Sequence, residues 1–247
     1  MHSKYSFWGF MAMISMVFTF LVTPAGFAQV NWKMTHKMPP DSAEGKAYQR
    51  FADLVKEKSG GKMTVKIFPA EQLGKTEAVL EMLENGTIQV YPEGEAYLQK
   101  YVDDIKFTNL PFAFESREHY GRFINSPRVK GWYEKVRKER NIMVVGNVID
   151  FVRGPYRVMI SKKPIQSLAD INGLKLRLHP DELNIAAWRE LGANTIVLAW
   201  TEIYESLDRG IIEACNSPMA LVEPMKFYET AKYIVRHDEF PQGIAFM

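Results

Sequence analysis

The chain has 247 residues, 47% hydrophobic and 24% charged, a balance that excludes a disordered or fibrous protein and leaves room for one large or two ordinary domains. Its net charge of +2, without a basic run or an aromatic-basic stripe, gives no ground for nucleic-acid binding. The single cysteine, Cys215, excludes an internal disulfide and reads as a buried small hydrophobe in an apolar run.

In chain order, Lys4 is the only formal charge before Lys33, and residues 7–22 form an almost unbroken apolar run of 16. Thr23 and Pro24 break it, and Gly26-Phe27-Ala28 offers the small residues of a cleavage site. Residues 1–28 are therefore read as a signal peptide cleaved after Ala28, with export to the periplasm. The competing reading is an uncleaved anchor, for which 16 residues are short. Residues 30–35 are predicted as the first strand. Asp41-Ser42-Ala43-Glu44 predicts a helix start of capping-box type, with an acceptor at the cap and a glutamate three residues on. That helix carries Ala47, Phe51, Leu54 and Val55 on one face and stops at Gly60-Gly61. Residues 63–68 alternate as a strand, 76–84 predict a helix closed by Asn85-Gly86, and 87–91 predict another strand. This order argues for an α/β fold with a mostly parallel sheet and right-handed crossovers.

Residues 92–141 are more helical and rich in aromatics. Ser116 and Ser126-Pro127 mark two helix starts, the second helix amphipathic through Val129, Trp132, Tyr133 and Val136. Residues 142–149 form a strongly β run, and from Pro155 a second alternating unit runs through Pro218. Two α/β lobes joined by strand crossings near residues 150–153 make a hinge with a cleft. The expected division is lobe I over 29–152, lobe II over 153–239, and the start of a strand returning to lobe I over 240–247. The apolar run at Met247 gives the expectation of a chain that continues further.

Several motifs stand in a fixed order: Phe68-Pro69-Ala70-Glu71-Gln72-Leu73-Gly74, Leu83-Glu84-Asn85-Gly86-Thr87-Ile88-Gln89, and Leu110-Pro111-Phe112. Then come Lys163-Pro164-Ile165, Leu168 to Gly173, the Gly173-Leu174-Lys175-Leu176-Arg177 strand, and Glu202-Ile203-Tyr204 with Leu207 and Gly210. Together they resemble the solute receptors of TRAP transporters, the DctP-type periplasmic binding proteins, from residue 30 to the end. The resemblance implies a two-lobed periplasmic binding protein fold with parallel-rich sheets flanked by helices. It also implies a monomer that captures an organic acid in the cleft and hands it to the membrane permease subunits.

Arg177 ends a strand where a parallel α/β sheet presents ligand-binding groups, and the resemblance makes it the carboxylate clamp. A guanidinium offers a planar fork of donors and keeps its charge. The resemblance adds Arg157 as a second arginine at the ligand, with Arg153 four residues earlier; one of the two is left as a hinge salt-bridge partner. It places Trp200 against the ligand, although core packing at a helix start accounts for it equally. Where the family often has G-Q-E-N-P, this chain has Ala214-Cys215-Asn216-Ser217-Pro218, so Ser217 stands in place of the ligand-contacting asparagine and Asn216 one place early. In the first lobe, His36, Lys37, Tyr91, Glu93 and Glu95 follow strand ends and face the cleft by the same switch-point rule. Glu93 or Glu95 would accept hydrogen bonds from a ligand, or serve as a solvated helix-start acid.

There is no nucleophile elbow, zinc helix, phosphate loop or dinucleotide fingerprint, and the five histidines lack metal-ligand spacing. Neither catalysis nor a cofactor is expected. An exported α/β hydrolase and a membrane-anchored sensor domain are the alternative readings, separable by turnover assays and by the state of the N-terminus.

Overall fold

A computed structural model describes residues 29–154 and 157–247. The expected signal peptide lies outside the described residues. The chain opens with β1 (Val30–Thr35), α1 (Ala43–Lys58), β2 (Met63–Phe68) and α2 (Thr76–Glu84), and β1 and β2 pair in parallel, Val30 opposite Met63. The short β3 (Pro92–Glu93) is followed by two 3-10 helices, Glu95–Lys100 and Asp103–Asn109. Next come α3 (Arg117–Ile124) and α4 (Pro127–Arg140), capped by the hydroxyls of Ser116 and Ser126 as the sequence predicts. Val129 and Val136 of α4 are buried, and Trp132 and Tyr133 are half-buried beside them.

Lobe II is built on one mixed sheet. Its strands are β4 (Arg157–Ser161), β5 (Lys175–Leu178), β6 (Asn194–Val197), β7 (Ala214–Pro218) and β8 (Tyr233–Arg236), in the order β6-β5-β7-β4-β8. β5 runs parallel to β6 and β7, whereas β4 is antiparallel to both its neighbours. The helices α5 (Glu182–Glu190), α6 (Ile203–Asp208) and α7 (Phe227–Thr230) cover it. Alternation splits the sheet into two cores. Val158, Ile160 and Cys215 pack with Trp200, Ile203 and Phe227 on one face; Met159, Leu176, Leu178 and Ala214 pack with Trp188 on the other.

The last strand, β9 (Ala245–Phe246), pairs antiparallel with β3 in the first lobe. Just before it, the outgoing and returning crossings lie side by side. Ile244 N–H donates to Phe151 C=O at 2.8 Å and Arg153 N–H to Gln242 C=O at 3.1 Å. Gly243 fits there because a Cβ would stand 2.4 Å from both Cγ1 and the carbonyl oxygen of Val148.

Three local expectations change. The run 142–149 forms no strand: Val145 alone bridges to Phe246, and Gly146 at φ +76° turns the chain out of the extended region. The strand expected over 87–91 is reduced to one bridge, Val90 to Met34. The first helix caps on Ser42, whose Oγ accepts from Gly45 N–H at 3.0 Å, not on Asp41. That shift leaves the Glu44 carboxylate free, and it is buried against Arg153.

Candidate functional site

A cavity of about 250 Å³ lies between the lobes, lined by Lys37, Glu71, Thr76 and Tyr97 from the first and by Arg177, Leu198 and Trp200 from the second. Arg177 reaches it because it stands one residue before the end of β5, the strand packed between β6 and β7. Its Nε and Nη2 donate to the Leu198 carbonyl at 3.0 and 2.6 Å, which fixes the plane of the fork. Its guanidinium lies 5.6 Å from the Trp200 ring centroid. Among the described residues, two of the guanidinium's five N–H donors are thus engaged. Among the described residues no carboxylate stands within ion-pair distance of it. Burial lowers its pKa, the direction expected of a cation held without a counter-ion. Trp200 lies beside Arg177 and also packs on the core ring of Phe227, centroids 5.5 Å apart, and among the described residues its buried Nε1 has no hydrogen-bond partner.

Across the cavity, Lys37 is buried with its Nζ 3.1 Å from the Tyr97 hydroxyl and 4.3 Å from the centre of that ring. It also forms an ion pair with Glu93 Oε2 at 3.1 Å, outside hydrogen-bonding angles. Burial opposes the charge on Lys37, but Glu93, Tyr91 and Tyr97 together outweigh it and raise the pKa. Glu93 itself is neither a free acceptor nor a solvated helix-start acid. Its Oε1 takes Arg153 Nη1 and the Gly94 N–H, and Arg153 holds Glu44 through Nε at 2.9 Å and Nη2 at 3.2 Å. Burial works against ionisation of Glu93, yet Arg153 and Lys37 together hold its carboxyl at about 2. Glu95 is turned away into the first lobe, accepting from the Tyr120 hydroxyl at 2.7 Å, and burial raises its pKa.

The remaining residues split by strand parity. Arg177 pairs across the sheet with Cys215, and Ser217, two residues on, shares that face; its hydroxyl donates to the Pro218 carbonyl at 2.9 Å. Asn216 and Arg157 lie on the opposite face and meet at a buried carboxylate, Glu239. Asn216 Nδ2 donates to its two oxygens at 3.2 and 3.1 Å, Arg157 Nε to one at 3.3 Å, and Trp188 Nε1 to the other. Arg157 also donates to Gln242 Oε1 at 2.7 Å and lies over Phe240 at 4.4 Å. Arg153 and Arg157 are therefore each paired with acids of the chain itself, Glu44 and Glu93 for the first and Glu239 for the second. His36 accepts the Met38 N–H at Nδ1 and packs on Tyr48; burial lowers its pKa to about 4. Tyr91 is a core residue whose hydroxyl meets that of Thr76 at 3.1 Å.

So the structure brings Arg177 and Trp200 to one cavity, with Lys37 opposite, and gathers Arg157 and Asn216 elsewhere. Tyr97 and Glu239 escape the sequence reading. Their partners stand 60 and 82 residues away, and no local spacing marks them. At the mouth, Lys75 pairs with Glu202, and the Thr201 hydroxyl donates to Glu71 at 2.5 Å, each contact spanning the lobes. Among the described residues no cluster of three or more His, Cys, Asp or Glu side chains could hold a metal ion, and no helix is long and apolar enough to cross a membrane.

Comparison with known proteins places this geometry. The chain is 28% identical over 215 residues to a solute-binding protein of Roseobacter denitrificans, covering 87% of this chain and 65% of the relative. It is 28% identical over 192 residues to the 2,3-diketo-L-gulonate-binding periplasmic protein of Escherichia coli, covering 76% and 56%. The chain thus spans less than two thirds of the length of these relatives. The fold matches a TRAP periplasmic solute-binding protein of Ochrobacterium anthropi solved with L-fuconate, at TM-score 0.79 and 24% identity over 89% of this chain and 72% of that one. It also matches a sugar acid binding protein of Advenella mimigardefordensis in complex with galactonate, at TM-score 0.81 and 24% identity over 89% and 70%. The model of the bacterial extracellular solute-binding protein family 7 matches residues 34–247, and with it the two-lobed fold and the order of motifs agree: the chain belongs to this family, the DctP-type solute receptors of TRAP transporters.

Proposed function

We propose that the protein is a periplasmic receptor that captures a small organic acid between its lobes and delivers it to the membrane permease of a TRAP transporter. It acts by binding and not by catalysis, and the Arg177 guanidinium grips the ligand carboxylate. The observation that carries this is the buried, acid-free fork of Arg177 in the cavity between the lobes. A desolvated cation is costly unless an anion meets it, so the site is poised for one. Export by residues 1–28 and division of the lobes near residues 152 and 240 belong to the same reading. The latter is supported by the paired crossings at 151–153 and 242–244.

Of the residues proposed from the sequence, Arg177 and Trp200 are the direct contacts, with Lys37 and Tyr97 facing them. Arg157, Asn216, Glu93, His36, Tyr91 and Ser217 act as support for the hinge and the cavity walls. Ligand closes the receptor because only the closed form presents both sets of contacts. Calorimetry against organic acids tests the reading. Arg177→Ala should weaken binding by about 2–5 kcal/mol, roughly 30-fold to several thousand-fold. Arg177→Lys should recover little, since lysine keeps the charge and loses the fork. Near-unchanged affinity in a folded Arg177→Ala protein would make the arginine structural.

A further inference from the structure

The charges around the Arg177 cavity are almost all balanced within the chain. Lys37, Arg153, Glu44 and Glu93 form one buried cluster whose charges sum to zero. Lys75 is matched by Glu202 at the mouth. Arg157, on the far face of the sheet, is matched by Glu239. Among the described residues one cation inside has no ion-pair partner, Arg177, on which Glu71 acts only from beyond ion-pair distance. The mouth, by contrast, carries acids to spare. Glu71 and Glu77 line it, and among the described residues no cation stands within ion-pair distance of either.

We infer that the site takes ligands with a single carboxylate and rejects dicarboxylates. The inference rests on the reading that Arg177 holds a carboxylate. A ligand with one carboxylate cancels the lone buried charge. A second carboxylate on the same ligand would find the other cations of the cavity already paired, and would share the cavity with the Glu71 carboxylate. In a partly desolvated site such like-charge contact is poorly screened. The rest of the ligand meets Lys37, the Tyr97 ring and hydroxyl, and the Thr76 hydroxyl. These suit an uncharged, hydroxyl-bearing body, since each can exchange a hydrogen bond with a hydroxyl group.

The test is calorimetric titration at neutral pH with matched pairs of equal chain length: butyrate and succinate, gluconate and glucarate, galactonate and galactarate. In every pair that binds, the monocarboxylate should bind at least tenfold tighter. A dicarboxylate that binds as tightly as its partner, or tighter, overturns the inference and leaves the receptor reading standing. Glu71→Gln, at a half-buried position on the mouth, should narrow the ratio at least threefold by easing rejection of the dianion. An unchanged ratio in that variant refutes the electrostatic origin. If none of these acids, and no other monocarboxylate, binds at millimolar concentration, the receptor reading itself fails.

Discussion

Replacing Arg153 by methionine should be among the most damaging single changes to this fold. Arg153 lies in the outgoing crossing, and its buried guanidinium holds Glu44 through two contacts and Glu93 through a third. With Lys37 on Glu93, the cluster carries two positive and two negative charges. Methionine keeps the bulk and leaves two carboxylates to one ammonium. Breaking a buried ion pair costs about 3–5 kcal/mol, and with two carboxylates affected the loss should fall in the upper part of that range. That is a large share of a stability of roughly 5–15 kcal/mol. Adding Glu44→Gln restores neutrality, so the double variant should recover about half the loss. The pH dependence gives a second readout. In the single variant a stranded carboxylate has a folded pKa raised above its unfolded value, so it adds stability as pH falls through that pKa. The deficit relative to the parent protein should therefore shrink between pH 7 and pH 5. Urea denaturation followed by tryptophan fluorescence measures all three proteins. A loss under about 1 kcal/mol, or a double variant no better than the single one, would refute the idea that these charges depend on one another.

Other expectations follow from single sites. His36 has its pKa lowered from 6.5 to about 4 by burial. It therefore contributes stability that is intact above pH 6.5 and lost as pH falls through 4; screening reduces an upper bound of roughly 3 kcal/mol to about 2. Urea midpoints should fall over that window and flatten in His36→Gln; equal slopes would remove His36 from the account. Gly243→Ala should cost about 2 kcal/mol or more, because the added methyl meets the Val148 backbone oxygen, which cannot rotate away. A Tm unchanged to within a degree would contradict it. Cys215 is buried, and burial pushes its thiol up to about 12. Iodoacetamide should therefore leave the folded protein unlabelled and modify it only in denaturant, and rapid labelling of native protein would show the opposite.

What the sequence reveals here is local, and what it hides is distant. The G-L-K-L-R strand announces Arg177 through its position at a strand end. Ser116 and Ser126 announce α3 and α4 through caps that bond within three residues. Strand alternation separates Ser217 from Asn216, although which face carries Glu239 depends on a residue 23 positions on. Glu44 reads as a capping acid because the cap lies nearby. Its actual partner, Arg153, is 109 residues away. The run 142–149 is rich in β-forming residues, but Gly146 and, among the described residues, the lack of a bridge partner beyond Phe246 decide its backbone. Apolar patterning thus reported composition correctly, while pairing was set by tertiary context.

The two contacts that join the lobes at the mouth, Lys75 with Glu202 and Thr201 with Glu71, are built from outward-facing side chains. Lys75 is 57% exposed and Glu202 42%. An exposed ion pair contributes about 0–1 kcal/mol and is screened over a Debye length of about 8 Å at physiological ionic strength. The clasp is therefore light. If Arg177 holds the ligand as proposed, dwell time is governed by the buried guanidinium and only trimmed at the rim. Rising salt then loosens the rim first, shortening residence by a few-fold at most, while the proposed carboxylate contact at Arg177, buried away from dissolved ions, keeps most of its strength.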